Sequence, residues 1–262
     1  MAKFVRFKTG NIPPSYGLVE GSDVTLLEGD VFLGYRLLKT VLQLRDLEIL
    51  APVLPPNIYA VGLNYRDHAE ENNLPYPKIP PVFMKANTSV IAHGEKIKLP
   101  KCAPKMVDYE AELGVIIKKP ALNVPEDKAM EFVAGYTCAD DVSARDVQFE
   151  TNEKQWVRGK SFNTFCPLGP FIVTDVYSKG LSVELRLNGK VMQKSNTDNL
   201  IHNVSKLIAH LSQDNLLLPQ TLILTGTPGG VGHFKKPPVY LKPGDDVEVE
   251  IGDVGILRNI VE

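Results

Sequence analysis

Short runs of alternating apolar and polar residues dominate this chain and predict strands rather than long helices. In the first fifty residues the alternation marks strands at 3–7, 16–20 and 24–27, and the turn Gly21-Ser22-Asp23 separates the last two. The proline-rich stretch 50–56 comes next. We therefore expect a small N-terminal β subdomain over residues 1–50, followed by a larger domain over residues 51–262.

The rest of the chain mixes strand-like runs with short helical patterns. Strands are predicted at 58–61, 82–86, 95–99, 108–118, 133–139, 181–187, 191–194, 222–224, 247–251 and 255–261. The dipeptide Asn188-Gly189 is a strong hairpin signal. Helices are predicted at 66–71 with Asn64 as a cap, from Pro125 to about 131, near 143–150 and at 203–212. This order is neither a regular βαβ repeat nor all-β, so we expect a β-rich α+β fold.

Composition and charge narrow the functional classes. The 262 residues are 44% hydrophobic and 23% charged, which is typical of a globular protein with a full core. The net charge is −2, and no basic run interleaves with aromatic residues, so we expect no nucleic-acid partner. We also expect no membrane association and a cytoplasmic location, because neither a spanning segment nor a secretory signal is evident. Three widely spaced cysteines indicate neither a disulfide framework nor a zinc site.

Two glutamates at strand spacing, Glu110 and Glu112, carry the strongest chemical signal, and Asp141 follows another apolar run. Residues i and i+2 of a strand share a face, so these carboxylates would repel each other unless a cation lay between them. Carboxylates without a nearby thiolate or imidazole suit a hard ion, Mg²⁺ or Mn²⁺. An isolated Glu-x-Glu is also typical of a solvated strand face. The apolar run 113–117 argues against that alternative because it predicts a buried strand.

Two further positions suggest acid–base and electrostatic chemistry. His68 and Glu71 are neighbours on one face of a predicted helix, and a carboxylate beside an imidazole favours a general base. The prolines at 75–81 would let this helix move as a lid. Lys160 follows a glycine, where a ligand can approach the backbone, and could stabilise an enolate. The alternatives are an incidental surface contact for the histidine and a solvated lysine.

A glycine-rich turn at 225–232 ends a predicted buried strand, so its backbone N–H groups could bind an anion. It lacks the Gly-Lys-Ser/Thr ending of a phosphate loop, and no G-x-G-x-x-G precedes a helix. We interpret it as a carboxylate-binding turn, with a plain tight turn as the alternative. The other histidines have no carboxylate or cysteine at ligand spacing, and no role is predicted for His93, His202, His210 and His233.

Several of these runs, taken in order over roughly residues 57–262, resemble the fumarylacetoacetate hydrolase family. The matching runs are Gly62-Leu-Asn-Tyr-Arg-Asp-His68, Pro81-Val-Phe-Met-Lys85, Asp108-Tyr-Glu110-Ala-Glu112-Leu, Asp141-Val-Ser-Ala-Arg145-Asp-Val-Gln148, Gly159-Lys160-Ser-Phe, Cys166-Pro-Leu-Gly-Pro170 and Gly226-Thr-Pro-Gly-Gly-Val-Gly232. Each run is weak alone, and together they are highly specific. Two positions depart from the family pattern: Asn163 stands where many relatives carry Asp, and Asp140 stands where Asn or an apolar residue is common.

The resemblance implies a mixed β-roll catalytic domain that is usually homodimeric, with Mg²⁺ or Mn²⁺ at the positions of Glu110, Glu112 and Asp141. It implies that Lys160 contacts the substrate in a pocket lined by Arg145, Gln148 and Thr227. His68 and Glu71 match the lid dyad with which hydrolytic and decarboxylating members activate water or handle protons.

The chemistry expected from such a site begins with a small 2-oxo acid or its enol, whose two oxygens chelate the metal so that an enolate is stabilised. Arg145 and the turn at Thr227 would hold a remote carboxylate. We expect C–C bond hydrolysis of an acylpyruvate or fumarylpyruvate type of substrate, or decarboxylation of a 2-oxo diacid. The alternative is isomerisation of a 2-hydroxyhepta-2,4-diene-1,7-dioate or 5-carboxymethyl-2-hydroxymuconate type of substrate in aromatic catabolism. A non-catalytic, metal-stabilised binding protein is a third interpretation.

Overall fold

A computed structural model of the protein describes residues 1–10, 12–150, 154–176 and 180–262. Its strands are β1 (Lys3–Thr9), β2 (Ile12–Glu20), β3 (Asp23–Asp30), β4 (Gly34–Gln43), β5 (Glu48–Ile49), β6 (Ile58–Val61), β7 (Val82–Lys85), β8 (Val90–Ile91), β9 (Lys96–Ile97), β10 (Val107–Asp108), β11 (Ala111–Ile117), β12 (Val133–Asp140), β13 (Ser143–Ala144), β14 (Cys166–Val173), β15 (Ser182–Leu187), β16 (Lys190–Asn196), β17 (Leu222–Leu224), β18 (Asp246–Ile251) and β19 (Gly255–Val261). The α-helices are α1 (Arg66–Glu71), α2 (Trp156–Lys160) and α3 (Val204–Leu211).

Most strands form one long mixed sheet with the order β4-β3-β2-β1-β14-β12-β11-β17-β6-β7, in which β5 lies beside β1 and β8 beside β14. Its pairs are antiparallel except β6–β17 and β8–β14, which are parallel. A second sheet has the order β16-β15-β18-β19-β9, and β10 pairs with β13. The β-rich α+β class predicted from the sequence is therefore confirmed.

The N-terminal strands continue the long sheet, because β1 pairs with β14 in the register Lys3↔Val173 and Val5↔Phe171. Phe4 packs with residues of β6, β14 and β17 in one apolar cluster. The first fifty residues therefore share their core and their sheet with the larger domain. Their description as a separate subdomain stays a prediction.

The centre of the fold is β11, which is buried along its whole length. Leu113, Val115 and Ile117 pack into the larger apolar cluster, which also contains residues of α3 and of the second sheet. Ile116 faces the other way and packs into the cluster of the long sheet. Because both faces are covered, the carboxylates at its start are fixed in a dry environment.

Several predicted strands are confirmed, and three, 58–61, 222–224 and 255–261, have the predicted bounds. The hairpin signal is also confirmed: Asn188 and Gly189 both have positive φ and join β15 to β16. The helix at 203–212 is α3, and Asn203 caps it by accepting a hydrogen bond from the backbone N–H of Lys206.

Other local predictions were only partly right. The helix predicted from Pro125 to about 131 is confirmed as the 3₁₀ helix Glu126–Phe132, with Pro125 as its N-cap. The segment predicted as a helix near 143–150 begins with β13 and is helical only over the π-helix Asp146–Glu150. The prediction of Asn64 as the cap of α1 was wrong, because Tyr65 is the N-cap and makes no side-chain capping bond. In this last case tertiary contacts outweigh local propensity.

The Asn64 amide has a long-range partner instead of a local one. Its Nδ2 donates to the backbone oxygens of His202, at 3.0 Å, and Thr225, at 2.7 Å. Its Oδ1 accepts from the backbone N–H of His202 at 2.9 Å. Asn64 is fully buried, so these bonds satisfy backbone groups that would otherwise lack partners.

Candidate active site and metal centre

Three carboxylates meet where β11 begins and β12 ends. Glu110 directly precedes β11, Glu112 lies within it, and Asp141 directly follows β12, whose Asp140 pairs with Ala111. One carboxylate oxygen from each of Glu110, Glu112 and Asp141 lies within 4.8 Å of the others, and all three residues are buried. The structure therefore brings together the carboxylates that the sequence singled out as metal ligands.

The electrostatics of this cluster fit a divalent cation. Burial, followed by the charges of Asp141 and Glu110, raises the pKa of Glu112 well above its usual value. The backbone N–H of Gly226 donates to Oε2 of Glu112 at 2.7 Å. Like charges so close in a dry site are costly, and a cation between them offsets that cost. An all-oxygen donor set suits Mg²⁺ or Mn²⁺ better than a softer ion.

Lys160 lies at the end of α2 and directs its ammonium at the same cluster. Its Nζ is 2.7 Å from each of Oε2 of Glu110, Oδ2 of Asp141 and Oγ of Ser143. Burial alone would lower the pKa of Lys160, but Asp141 and Glu110 outweigh burial and raise it. The lysine is therefore a fixed positive charge beside the carboxylates, and the solvated alternative is wrong because only 2% of the residue is exposed.

Arg145 ties the first carboxylate to a second acidic residue. Its Nε donates to Asp108 at 2.6 Å, its Nη2 to Glu110 at 2.6 Å and its Nη1 to Gln148 at 2.7 Å. Burial opposes ionisation of Glu110, but Lys160 and Arg145 outweigh it and hold the pKa of Glu110 below its usual value. Glu110 is thus ionised without a metal, whereas Glu112 retains a proton more readily.

Sequence reasoning missed Lys85, although a signal for it existed. In β7 the residues alternate between exposed and buried, and Lys85 falls on the buried side with Phe83. Its ammonium forms an ion pair with Asp141 and also donates to the backbone oxygen of Val142 at 3.3 Å. A lysine in the buried phase of an alternating strand indicates a buried charge partner.

Asp108 and Gln193 were also missed, and both position their neighbours. Asp108 accepts hydrogen bonds from Arg145 and, at 2.7 Å, from the backbone N–H of His233. Gln193 on β16 accepts from the backbone N–H of Ala111 at 2.9 Å and donates to Oγ1 of Thr227 at 2.8 Å. Gln193 thereby links the start of β11 to the glycine-rich turn. Strand alternation gives no sign of that link.

The predicted dyad, His68 and Glu71, lies on α1. Nδ1 of His68 is 3.8 Å from Oε2 of Glu71, which also accepts from the backbone N–H of Gly230 at 2.9 Å. Burial lowers the pKa of His68, and Glu110 and Glu71 only partly counteract it. The imidazole is therefore neutral near pH 7 and can accept a proton.

The N–H groups of the glycine-rich turn bind carboxylates of the protein itself, and binding of a ligand carboxylate there stays a prediction. The backbone N–H of Gly226 donates to Glu112, that of Gly230 to Glu71, and that of Gly229 to Oδ1 of Asp67 at 3.3 Å. The turn thus joins Glu112, a candidate metal ligand, to the helix that carries His68.

A cavity of about 310 Å³ lies beside these groups, and Glu71, Glu112 and Asp141 are not among its lining residues. The predicted site residues that line it are His68, Glu110, Arg145, Gln148, Lys160 and Thr227. Much of the remaining wall is aromatic and includes His233, for which no role was predicted. A larger hollow of about 550 Å³, near Met130 and Tyr136, contains none of the predicted site residues.

The two departures from the family pattern differ in environment. Asp140 is fully buried, its Oδ1 accepts from the backbone N–H of Glu110 at 2.8 Å, and burial raises the pKa of Asp140 to about 8. Asn163 is exposed, whereas Lys160 is buried. The change at position 140 therefore bears on the carboxylate cluster more directly than the change at 163.

A family model described as the C-terminal domain of fumarylacetoacetate (FAA) hydrolase matches residues 57–262. The chain belongs to the fumarylacetoacetate hydrolase family. A second model, described as Rv2993c-like, N-terminal, matches residues 2–52. The fumarylacetoacetate hydrolase fold, with its mixed sheets, is thereby confirmed.

Relatives in the family carry the names of several activities. The mitochondrial oxaloacetate tautomerase of Xenopus laevis is 45% identical, over 84% of this chain and 70% of its own. The structure of 5-carboxymethyl-2-hydroxymuconate delta-isomerase from Mycobacterium smegmatis has a TM-score of 0.89 and 35% identity, covering 99% of this chain and 98% of that one. A fumarylacetoacetate hydrolase from Exiguobacterium antarcticum has a TM-score of 0.86 and 32% identity, covering 100% and 99%.

The family membership makes this protein an enzyme that acts on small molecules. None of the helices in the described ranges has the length and apolar character needed to cross a membrane.

Proposed function

We propose that the protein is a metal-dependent isomerase that interconverts the enol and keto forms of a 2-oxo carboxylic acid. The observation that carries the proposal is that a buried histidine, His68, and a buried, ion-paired lysine, Lys160, line one cavity. His68 can accept a proton, and Lys160 keeps its charge. Tautomerisation needs one group that moves a proton at carbon and another that stabilises charge on oxygen.

The metal-binding residues in this proposal are Glu110, Glu112 and Asp141, and Mg²⁺ or Mn²⁺ is the ion they suit. When bound, such an ion supplies Lewis-acid polarisation of the substrate's 2-oxo group. Lys160 shares the negative charge on that oxygen. His68 removes or returns the proton on the adjacent carbon, and the Glu71 carboxylate, 3.8 Å from its Nδ1, stabilises the protonated ring by its charge.

We propose isomerisation instead of C–C hydrolysis, which was one of the two reactions expected from the sequence. Hydrolysis requires a positioned water and a protonated carbon leaving group in addition to the dyad. The tautomerase and isomerase names of two of the relatives also support this choice. C–C hydrolysis and decarboxylation stay predictions, as do the homodimer and the cytoplasmic location.

The decisive experiment follows the decay of enol oxaloacetate by ultraviolet absorbance, with purified protein and added Mg²⁺ or Mn²⁺. We expect acceleration over the spontaneous rate, and its loss in His68→Gln. Acylpyruvates and 2-hydroxymuconate-type dienes, analysed for products, complete the panel. Cleavage of an acylpyruvate without any tautomerisation would replace this proposal with C–C hydrolysis. No turnover at all, together with a metal-dependent rise in Tm, would favour the binding-protein interpretation.

A further inference from the structure

The cavity has an aromatic wall that the proposed proton transfer does not use. Phe83 lies 5.6 Å from Trp156 and Trp156 lies 6.1 Å from Phe149, measured between ring centroids. Phe149 in turn lies 6.5 Å from Phe234 and 5.6 Å from His233. These five rings, which we call the aromatic wall, are contiguous and all line the cavity.

The lysine and the arginine that line the cavity, Lys160 and Arg145, already form ion pairs with carboxylates of the protein. Among the described residues that line the cavity, the lysines and arginines are Lys160 and Arg145. Lys160 is bound by Glu110, Asp141 and Ser143. Arg145 donates to Asp108, Glu110 and Gln148, and 1% of the residue is exposed.

The glycine-rich turn offers little to a second carboxylate either. Its N–H groups at Gly226, Gly229 and Gly230 donate to the protein's own carboxylates. A substrate carboxylate placed against the aromatic wall would therefore lose water without gaining a lysine or arginine partner, and an unpaired buried charge is costly. This differs from the expectation that Arg145 and the turn hold a remote carboxylate.

We propose that this cavity selects 2-oxo acids whose far end is apolar, an aryl or branched alkyl tail, over diacids of the same length. The proposal rests on the proposed function, because the carboxylate cluster must hold the 2-oxo acid head. The aromatic wall is then the specificity-determining surface, since apolar tails gain free energy by leaving water against aromatic rings. Oxaloacetate carries a second carboxylate, so this chain would differ in preference from the tautomerase relative.

The test uses two isosteric analogues of the enolate, N-isopentyl oxamate and N-carboxyethyl oxamate, with plain oxamate as the reference for the head. Dissociation constants are measured by calorimetry with the full chain in saturating Mg²⁺. We expect the isopentyl compound to bind at least about tenfold more tightly than the carboxyethyl compound, the discrimination an apolar pocket typically reaches. Equal or tighter binding of the carboxyethyl compound would overturn the proposal and leave the proposed function intact.

Two variants locate the preference on the wall. Phe149→Leu should weaken the binding of N-isopentyl oxamate and leave the dissociation constant of plain oxamate unchanged. Leu74→Lys places a cation at an exposed lining position and should narrow the ratio between the two analogues. Leu122→Lys, at a similarly exposed leucine outside the cavity, should not. If neither Phe149→Leu nor Leu74→Lys changes the ratio of the two dissociation constants, the aromatic wall does not determine the preference. If plain oxamate does not bind and enol oxaloacetate is not converted, the proposed function is wrong, and the inference that rests on it is wrong as well.

Discussion

The backbone N–H of Gly226 donates a 2.7 Å hydrogen bond to Oε2 of Glu112, so the glycine-rich turn directly orients one of the candidate metal ligands. Gly226 has φ +99°, a conformation that favours glycine, and a Cβ at this position would lie 2.8 Å from Cβ of the buried Asn64. The turn therefore has little freedom to move without displacing the carboxylate.

We expect Gly226→Ala to lower stability by about 1–3 kcal/mol through backbone strain and to weaken metal affinity as well. The matched control is Gly244→Ala, which has φ +92° but meets nothing within 4 Å. Thermal unfolding with and without Mg²⁺ separates the two effects, because a bound ligand raises Tm by mass action. If both variants keep the full Mg²⁺-induced rise in Tm, the turn does not hold Glu112 in place.

Replacing Glu112 with Gln should separate metal binding from folding. The amide keeps an acceptor for Gly226 and removes a buried carboxyl whose ionisation burial and its neighbours oppose. The variant without metal should therefore be at least as stable as the parent. Its Mg²⁺ affinity should fall by more than the roughly 10–100-fold that changes around metal ligands cost. Calorimetric titration measures this, with the exposed Glu126→Gln as control. Parental affinity in Glu112→Gln would exclude the carboxylate as a ligand.

The pH dependence of activity should report His68. Burial lowers its pKa below the usual 6.5, so the imidazole stays neutral until the pH falls below that value. We expect kcat/KM to be constant near neutral pH and to fall as the pH drops through the lowered pKa. Glu71 raises this pKa, so Glu71→Gln should move the acid limb to still lower pH. His210→Gln, outside the cavity, should leave the limb where it is. A parental profile in His68→Gln would contradict the role as base.

Asn64 should be worth more to stability than a surface asparagine. Its side chain bonds backbone groups of His202 and Thr225 in a fully buried site. Asn64→Ala leaves those groups unsatisfied, so we expect a loss of about 3 kcal/mol in the free energy of unfolding. Denaturant unfolding measures this. Asn199→Ala, which removes a single bond to Ser195, is the control and should cost about 1 kcal/mol. Equal losses in the two variants would contradict the bridging role.

Local patterns predicted the fold well wherever local chemistry decides it. Turn residues fix the Asn188-Gly189 hairpin, and apolar runs bounded by turns locate β17 and β19. The strand β14 was not predicted, because Pro167, Gly169 and Pro170 within it oppose strand formation locally. Its position comes from long-range pairing with β1 and β12, which no window of sequence contains.

The candidate site shows the same division. Carboxylate spacing led to Glu110 and Glu112, since strand geometry alone places them near each other. Lys85 and Gln193 were not predicted, because each acts through a contact with a residue far along the chain. Lys85 forms an ion pair with Asp141, and Gln193 donates a hydrogen bond to Thr227. Their roles come from packing, which brings distant strands together, and not from any motif.

The pairing of β1 with β14 also covers a strand edge on which the protein would otherwise self-associate. The strand edge that β1 covers is formed by Phe171, Ile172 and Val173. A chain that lacks residues 1–50 would expose the backbone N–H and C=O groups along this edge. An exposed apolar edge strand is a template to which another chain can add a strand. Such a truncated chain would keep every candidate catalytic side chain and still be prone to self-association.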